Sequence, residues 1–192
     1  MEQSNSLNKI KKYSHMMRGL MMGRFQPFHL GHMDLVTQIL SECDEVIIAI
    51  TSSQFNYLEK DPFTAGERIE MIHNSLKESS IDMDRCYVLA IENQLNISTW
   101  ASYLKSALPA FDKVYSGNEY VSMLLSDSGI SVIIPEFLKR EHYNATKIRS
   151  MIISDDDWEH HVPHAVFELL TQINAKNRLS VISKSDTNPT QH

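Results

Sequence analysis

The chain has 192 residues with 18 Lys+Arg against 24 Asp+Glu, a formal net charge of −6. That length suits one compact domain, and an apolar content of 42% excludes wholesale disorder. No apolar run approaches the ~20 residues of a membrane span, and the two cysteines, Cys43 and Cys86, make no disulfide framework. An acidic balance argues against a general nucleic-acid surface. A soluble, reduced, cytoplasmic protein is the expectation, with neither membrane nor nucleic acid as partner.

Residues 1–16 read as a flexible polar leader without the apolar centre of a secretory signal, and 176–192 read as a polar tail. The domain is expected at 17–175. Its first strand candidate is Met17–Met22, followed by a helix over Leu30–Cys43 with apolar residues at Leu30, Met33, Val36, Ile39 and Leu40. A strand at Val46–Thr51 precedes a helix over Thr64–Leu76, where Thr64 and Glu67 form a capping-box pattern. Next come a strand at Cys86–Ile91 and a helix over Thr99–Leu108, capped by Ser98 and stopped by Pro109. Strands at Lys113–Tyr115 and Ser131–Ile134 follow, and a last helix spans Pro163–Ile173, with Pro163 in its first turn. Several of these strands are apolar throughout, as in parallel sheets covered on both faces. Five strands alternating with helices predict an α/β fold, an open, doubly wound, parallel five-stranded sheet. Ligands of such folds lie beyond the C-terminal strand ends, where the strand order reverses.

The informative segment lies where the first strand hands over to a helix: Gly23-Arg24-Phe25-Gln26-Pro27-Phe28-His29-Leu30-Gly31-His32. Free backbone N–H groups and the positive helix end make phosphate a natural occupant. Gly23 and Gly31 lack side chains that would keep a ligand away. His29 and His32, three apart, share a helix face and can donate to oxygens that gain charge in phosphoryl transfer. The Walker lysine motif and the dinucleotide Gly-x-Gly-x-x-Gly fingerprint are absent. A zinc role for the two histidines lacks a third ligand nearby.

This segment resembles the signature of the His-x-Gly-His nucleotidyltransferases, and the wider string resembles the archaeal-type nicotinamide-nucleotide adenylyltransferases. Three further blocks agree in order: Asp61–Arg68, Val114–Asn118 and Tyr143–Arg149, the last similar to a Ser-x-Thr-x-x-Arg signature. The resemblance implies a Rossmann-like nucleotidyltransferase fold with a C-terminal helix. It also implies a reaction of ATP with nicotinamide mononucleotide to give NAD and pyrophosphate. Mg²⁺ would be held mainly through the ATP phosphates, with no protein metal site, and the protein would be a homo-oligomer. By the same resemblance, His29, His32, Arg24 and Arg149 are catalytic. The ATP site is Gly23, Arg24, Phe25, His29, Gly31, His32, Gly117, Asn118, Arg140, Tyr143, Asn144, Thr146 and Arg149.

The mononucleotide site is expected at Ser53, Lys60, Arg68, Asn93, Asn96 and Trp100, and here the chain departs from the family pattern. The family's aspartate seven residues before the tryptophan is Asn93, its asparagine three before is Ile97 with Asn96 adjacent, and its phosphate-binding arginine is Lys60. Lysine keeps the charge and loses the bidentate fork. Two alternatives stay open: adenylyl or cytidylyl transfer to phosphopantetheine or FMN, and a non-catalytic nucleotide sensor. His160, His161 and His164, near Asp155–Asp157, read as a surface helix start and not a metal site.

Overall fold

A computed structural model describes residues 16–136 and 143–185. The expected leader (1–16) and Arg140 therefore lie, but for residue 16, outside the described residues. Five strands form one parallel sheet: β1 (Arg18–Gly23), β2 (Glu45–Ile50), β3 (Cys86–Ala90), β4 (Lys113–Tyr115) and β5 (Ser131–Ile133). Their order is β3-β2-β1-β4-β5, so the chain reverses direction across the sheet between β1 and β4. The register pairs Leu20 with Ile47 and with Val114. The C-terminal ends of β1 and β4 thus open side by side, the place where such sheets bind ligands.

Alternation along each strand feeds two cores. Met21, Val46, Ile48, Ile50 and Tyr115 face one side, and Leu20, Ile47, Ala49 and Val114 face the other. The first side is covered by α1 (Leu30–Glu42), α2 (Ala65–Glu78), α5 (Ala145–Ser154), α6 (His164–Gln172) and α7 (Ala175–Lys184). The second is covered by α3 (Trp100–Ala107) and α4 (Glu119–Ser126). Gly19 lets α1 press onto β1, since a Cβ there would lie 2.5 Å from the Ile39 side chain.

The structure differs from the sequence expectations at two helix ends and in one whole segment. The turn before α3 is a short 3₁₀ helix, Ile97–Thr99, whose first N–H groups bond to Asn96, so Asn96 is the cap and not Ser98. Pro163 precedes α6 as its N-cap and does not occupy the first turn. The Thr64–Glu67 capping box is present, with Thr64 Oγ1 accepting from the Glu67 N–H and Glu67 returning the bond. The segment read as a polar tail carries all of α7 but its first residue, and this helix buries Ala175 and Leu179 and pairs Arg178 with Glu67 through two contacts of 2.7 and 2.8 Å. Its mean polarity hid two core residues four apart, enough to dock a short helix. Among the described residues no helix is long and apolar enough to cross a membrane.

Candidate active site

The turn from β1 into α1 is packed as tightly as the core. Phe25, Gln26, Phe28 and His29 are buried. The Gln26 side chain clamps the loop before α2 by donating to the Phe63 carbonyl (3.0 Å) and accepting from the Phe63 N–H (2.9 Å). His29 and His32 stack with ring centroids 3.5 Å apart, and the His29 N–H donates to His32 Nδ1 (3.2 Å). That bond leaves the His32 proton on Nε2. Phe25 meets His32 edge-on at 4.8 Å and Phe28 stacks on it at 5.3 Å. Burial pushes His29 down to about 4 and drives His32 well below the ordinary imidazole range. Both rings are therefore neutral at pH 7, each with one N–H to donate. His29 Nδ1 is buried without a hydrogen-bond partner.

The second signature lands against the first. The Arg149 Nη1 donates to the Gln26 carbonyl (2.8 Å), and its Nη2 reaches Thr146 Oγ1 (3.4 Å). Burial first, and Arg24 second, lower the Arg149 pKa, which puts the two guanidinium groups in one electrostatic neighbourhood. Arg24 is half exposed and donates to the Lys60 carbonyl (3.2 Å). Tyr143 lies 6.3 Å from the His29 ring, and its side chain occupies the space beside Gly31, where an added Cβ would be 3.0 Å away.

The structure changes the part that several of these residues can play. Arg68 is wholly buried, and it donates to the carbonyls of Thr64, Arg24, Thr51 and Ser52. It is a structural clamp beneath the site, out of reach of a mononucleotide. The Phe25 side chain is core and shapes His32, and the gaps at Gly23 and Gly31 are filled by the rings of Phe25 and Tyr143. The N–H groups of Thr146 and Lys147 are taken by the Asn144 side chain, which caps α5. A phosphate there would meet the Thr146 hydroxyl, not free amides.

The other candidates are placed as follows. Gly117 and Asn118 follow β4 at the crevice, and Asn118 caps α4 by accepting from the Tyr120 N–H (3.0 Å). Lys60 is exposed on the loop before α2. Ser53 donates its N–H to the Ile91 carbonyl (3.2 Å), tying the ends of β2 and β3. Asn93 accepts from the Ser52 N–H (3.2 Å) and donates to Ser52 Oγ (2.9 Å), so its amide is engaged within the protein. Asn96 caps its turn, and the half-buried Trp100 packs on the second core.

Sequence reasoning missed Gln26, Asp61, His161 and Arg178. His161, set aside as part of a surface helix start, sits 6.4 Å edge-on to Tyr143 and close enough to help lower the His29 pKa. No local pattern marks it, because its neighbours come from distant segments. Among the described residues no group of three or more His, Cys, Asp or Glu is placed to hold a metal.

A sequence model of the cytidylyltransferase-like family matches residues 20–151. The nicotinamide-nucleotide adenylyltransferase of Caldivirga maquilingensis is 43% identical over 175 residues, covering 91% of this chain and 98% of that protein. The one from Saccharolobus solfataricus is 42% identical over 171 residues, 89% of this chain and 99% of its own. Among solved structures, a bifunctional NMN adenylyltransferase/ADP ribose pyrophosphatase from Francisella tularensis, complexed with AMP and a Mn ion, superposes with a TM-score of 0.74. It is 19% identical over 88% of this chain, which spans about half (52%) of that longer protein. The Plasmodium falciparum nicotinic acid mononucleotide adenylyltransferase complexed with APC gives a TM-score of 0.61 at 13% identity, covering 85% of this chain and 98% of that one.

Proposed function

Since the chain belongs to the cytidylyltransferase-like family, and within it to the nicotinamide-nucleotide adenylyltransferases, we propose that it joins ATP to nicotinamide mononucleotide, giving NAD and pyrophosphate. The observation that carries this reading at the site is the junction of the two signatures, where Arg149 bonds to the Gln26 carbonyl (2.8 Å) beside the stacked His29 and His32.

An oxygen of the mononucleotide phosphate attacks the ATP α-phosphorus in line, a new P–O bond forms, and pyrophosphate leaves. That nucleophile is already ionised at neutral pH, so no general base is needed and catalysis rests on placement and charge. Arg24 and Arg149 hold the triphosphate, arginine's fork matching phosphate oxygens. His29 and His32, kept neutral by burial, donate hydrogen bonds to oxygens that gain charge in the transition state. Gly117 and Asn118 border the adenosine. Lys60, Ser53, Asn93, Asn96 and Trp100 serve the acceptor side.

The polar groups gathered at the site are arginine guanidinium groups and neutral imidazoles, a donor set that suits a metal arriving on the nucleotide and held by its phosphates. Mg²⁺ carried on the ATP phosphates would supply charge neutralisation to the departing pyrophosphate, beside the guanidinium groups of Arg24 and Arg149. The same family membership supports a homo-oligomer working in the cytoplasm, and light scattering on the purified protein tests the assembly.

The deciding assay is NAD formation from ATP and nicotinamide mononucleotide, with nicotinate mononucleotide, FMN and phosphopantetheine in parallel. Pyrophosphate release with the pyridine nucleotides alone is the expected result. Release with another phosphate acceptor and no NAD overturns the acceptor, and no release with any of them overturns the enzyme.

A further inference from the structure

Three guanidinium groups, those of Arg24, Arg68 and Arg149, gather around the loop before α2, and the carboxylate of Asp61 lies among them. Arg24 Nη1 is 3.8 Å from Asp61 Oδ2, too far for a hydrogen bond. The same Arg24 nitrogen does bond to the Lys60 carbonyl (3.2 Å), so its direction is set by the backbone and not by Asp61. The Asp61 side chain is 10% exposed against 44% for Arg24. Its Oδ1 is buried and accepts no hydrogen bond among the described residues. Asp61 favours the charged forms of Arg68 and Arg149, whereas Arg24 opposes both.

Asp61 therefore acts on this cluster through its charge and not through a directed bond. We propose that Asp61 is a resident counter-charge of the arginine cluster, which a bound polyphosphate must overcome and which weakens retention of the pyrophosphate product. The identity of the anion rests on the adenylyl-transfer reading, and the charge argument does not. A carboxylate that only aimed Arg24 would strengthen anion binding; a counter-charge weakens it. The two roles predict opposite signs.

The experiment is calorimetric titration of the full-length protein with inorganic pyrophosphate at fixed Mg²⁺. Asp61→Asn should bind about tenfold more tightly than wild type, the size expected for one like charge removed at short range in a partly buried site. Asp61→Ala should shift the same way, which keeps the test alive if the amide fails to fold. Asp61→Glu, which keeps the charge, should stay within about twofold. Product inhibition of NAD formation by pyrophosphate should sharpen in the Asn variant. Unchanged or weaker pyrophosphate binding in both neutral variants, or equal tightening in the Glu variant, overturns the proposal. A wild-type protein that makes no NAD overturns the proposed reaction, while the titration still decides the role of Asp61.

Discussion

The loop after β1 and the loop after β3 leave the same end of the same sheet, and they are built in opposite ways. Residues Phe25 to His29 are buried, with Gln26 bonded on both sides and the histidines stacked into α1. Residues 92–99 are exposed except at one half-buried position, and Leu95 is fully in solvent. What ties that loop down is mainly Asn93, through Ser52 and through paired backbone contacts with Gln54. The difference follows from the chemistry. Charge stabilisation at phosphorus demands donors fixed before the substrate arrives, whereas acceptor recognition tolerates a loop that adjusts on binding.

The largest effect should come from the rigid side. His32→Ala removes a donor held in place by Phe25, Phe28 and His29. Turnover should fall about 10²–10³-fold, with far-UV circular dichroism unchanged. Turnover within twofold of wild type would end the proposed role and with it the contrast between the loops. Arg68→Met should act on stability instead. It takes the side-chain donor from the carbonyls of Arg24, Thr51 and Ser52 at a largely buried place, while Thr64 keeps its backbone bond to residue 68, and should cost about 3–5 kcal/mol in denaturant titration. A loss below about 1 kcal/mol would mean the clamp does not hold the rigid side together.

These two residues also mark where the sequence was legible. The sheet and most helices could be read because burial imposes periodicity, and the four motif blocks could be read because their spacing is local. Arg68 lay inside a recognised block, yet nothing in its neighbours distinguishes an arginine spent on carbonyls from one facing a ligand. That depends on Arg24, Thr51 and Ser52, which precede it by 16 to 44 positions. The helix Ala175–Lys184 was hidden for a related reason. Its two core residues become meaningful only against α5 and α6, and the Arg178–Glu67 pair only against the start of α2. Asp61 was quoted within a block, and its unpartnered oxygen is visible only in three dimensions.

Acid should probe the rigid side next. His29 takes a proton only below about 4, against 6.5 for a free imidazole. Between those values the unfolded chain binds more protons than the folded one, so stability rises with pH across that window and is lost as pH falls through it. The loss attributable to His29 is about 3 kcal/mol at most, and His32 adds in the same direction. Thermal unfolding followed from pH 7 to pH 4 should show a falling midpoint, flattened in His29→Asn. An equal slope in the variant would mean that the buried pair is not what acid attacks.

The smallest effect belongs to the adjustable loop, and it is the most discriminating. Asn93→Ala removes two side-chain bonds to Ser52, worth about 1–2 kcal/mol together. If the loop after β3 serves the acceptor alone, initial rates should show KM for the mononucleotide rising about tenfold, while KM for ATP stays within twofold. Ser52 also accepts from Arg68 through its carbonyl, and Arg68 holds Arg24. A disturbance could therefore travel from Asn93 through Ser52 to the triphosphate side. Equal rises in both KM values would show that it does, and that the two loops are one mechanical unit. A rise confined to the mononucleotide would show that the Arg68 clamp, with four carbonyl contacts, absorbs the change before it reaches Arg24.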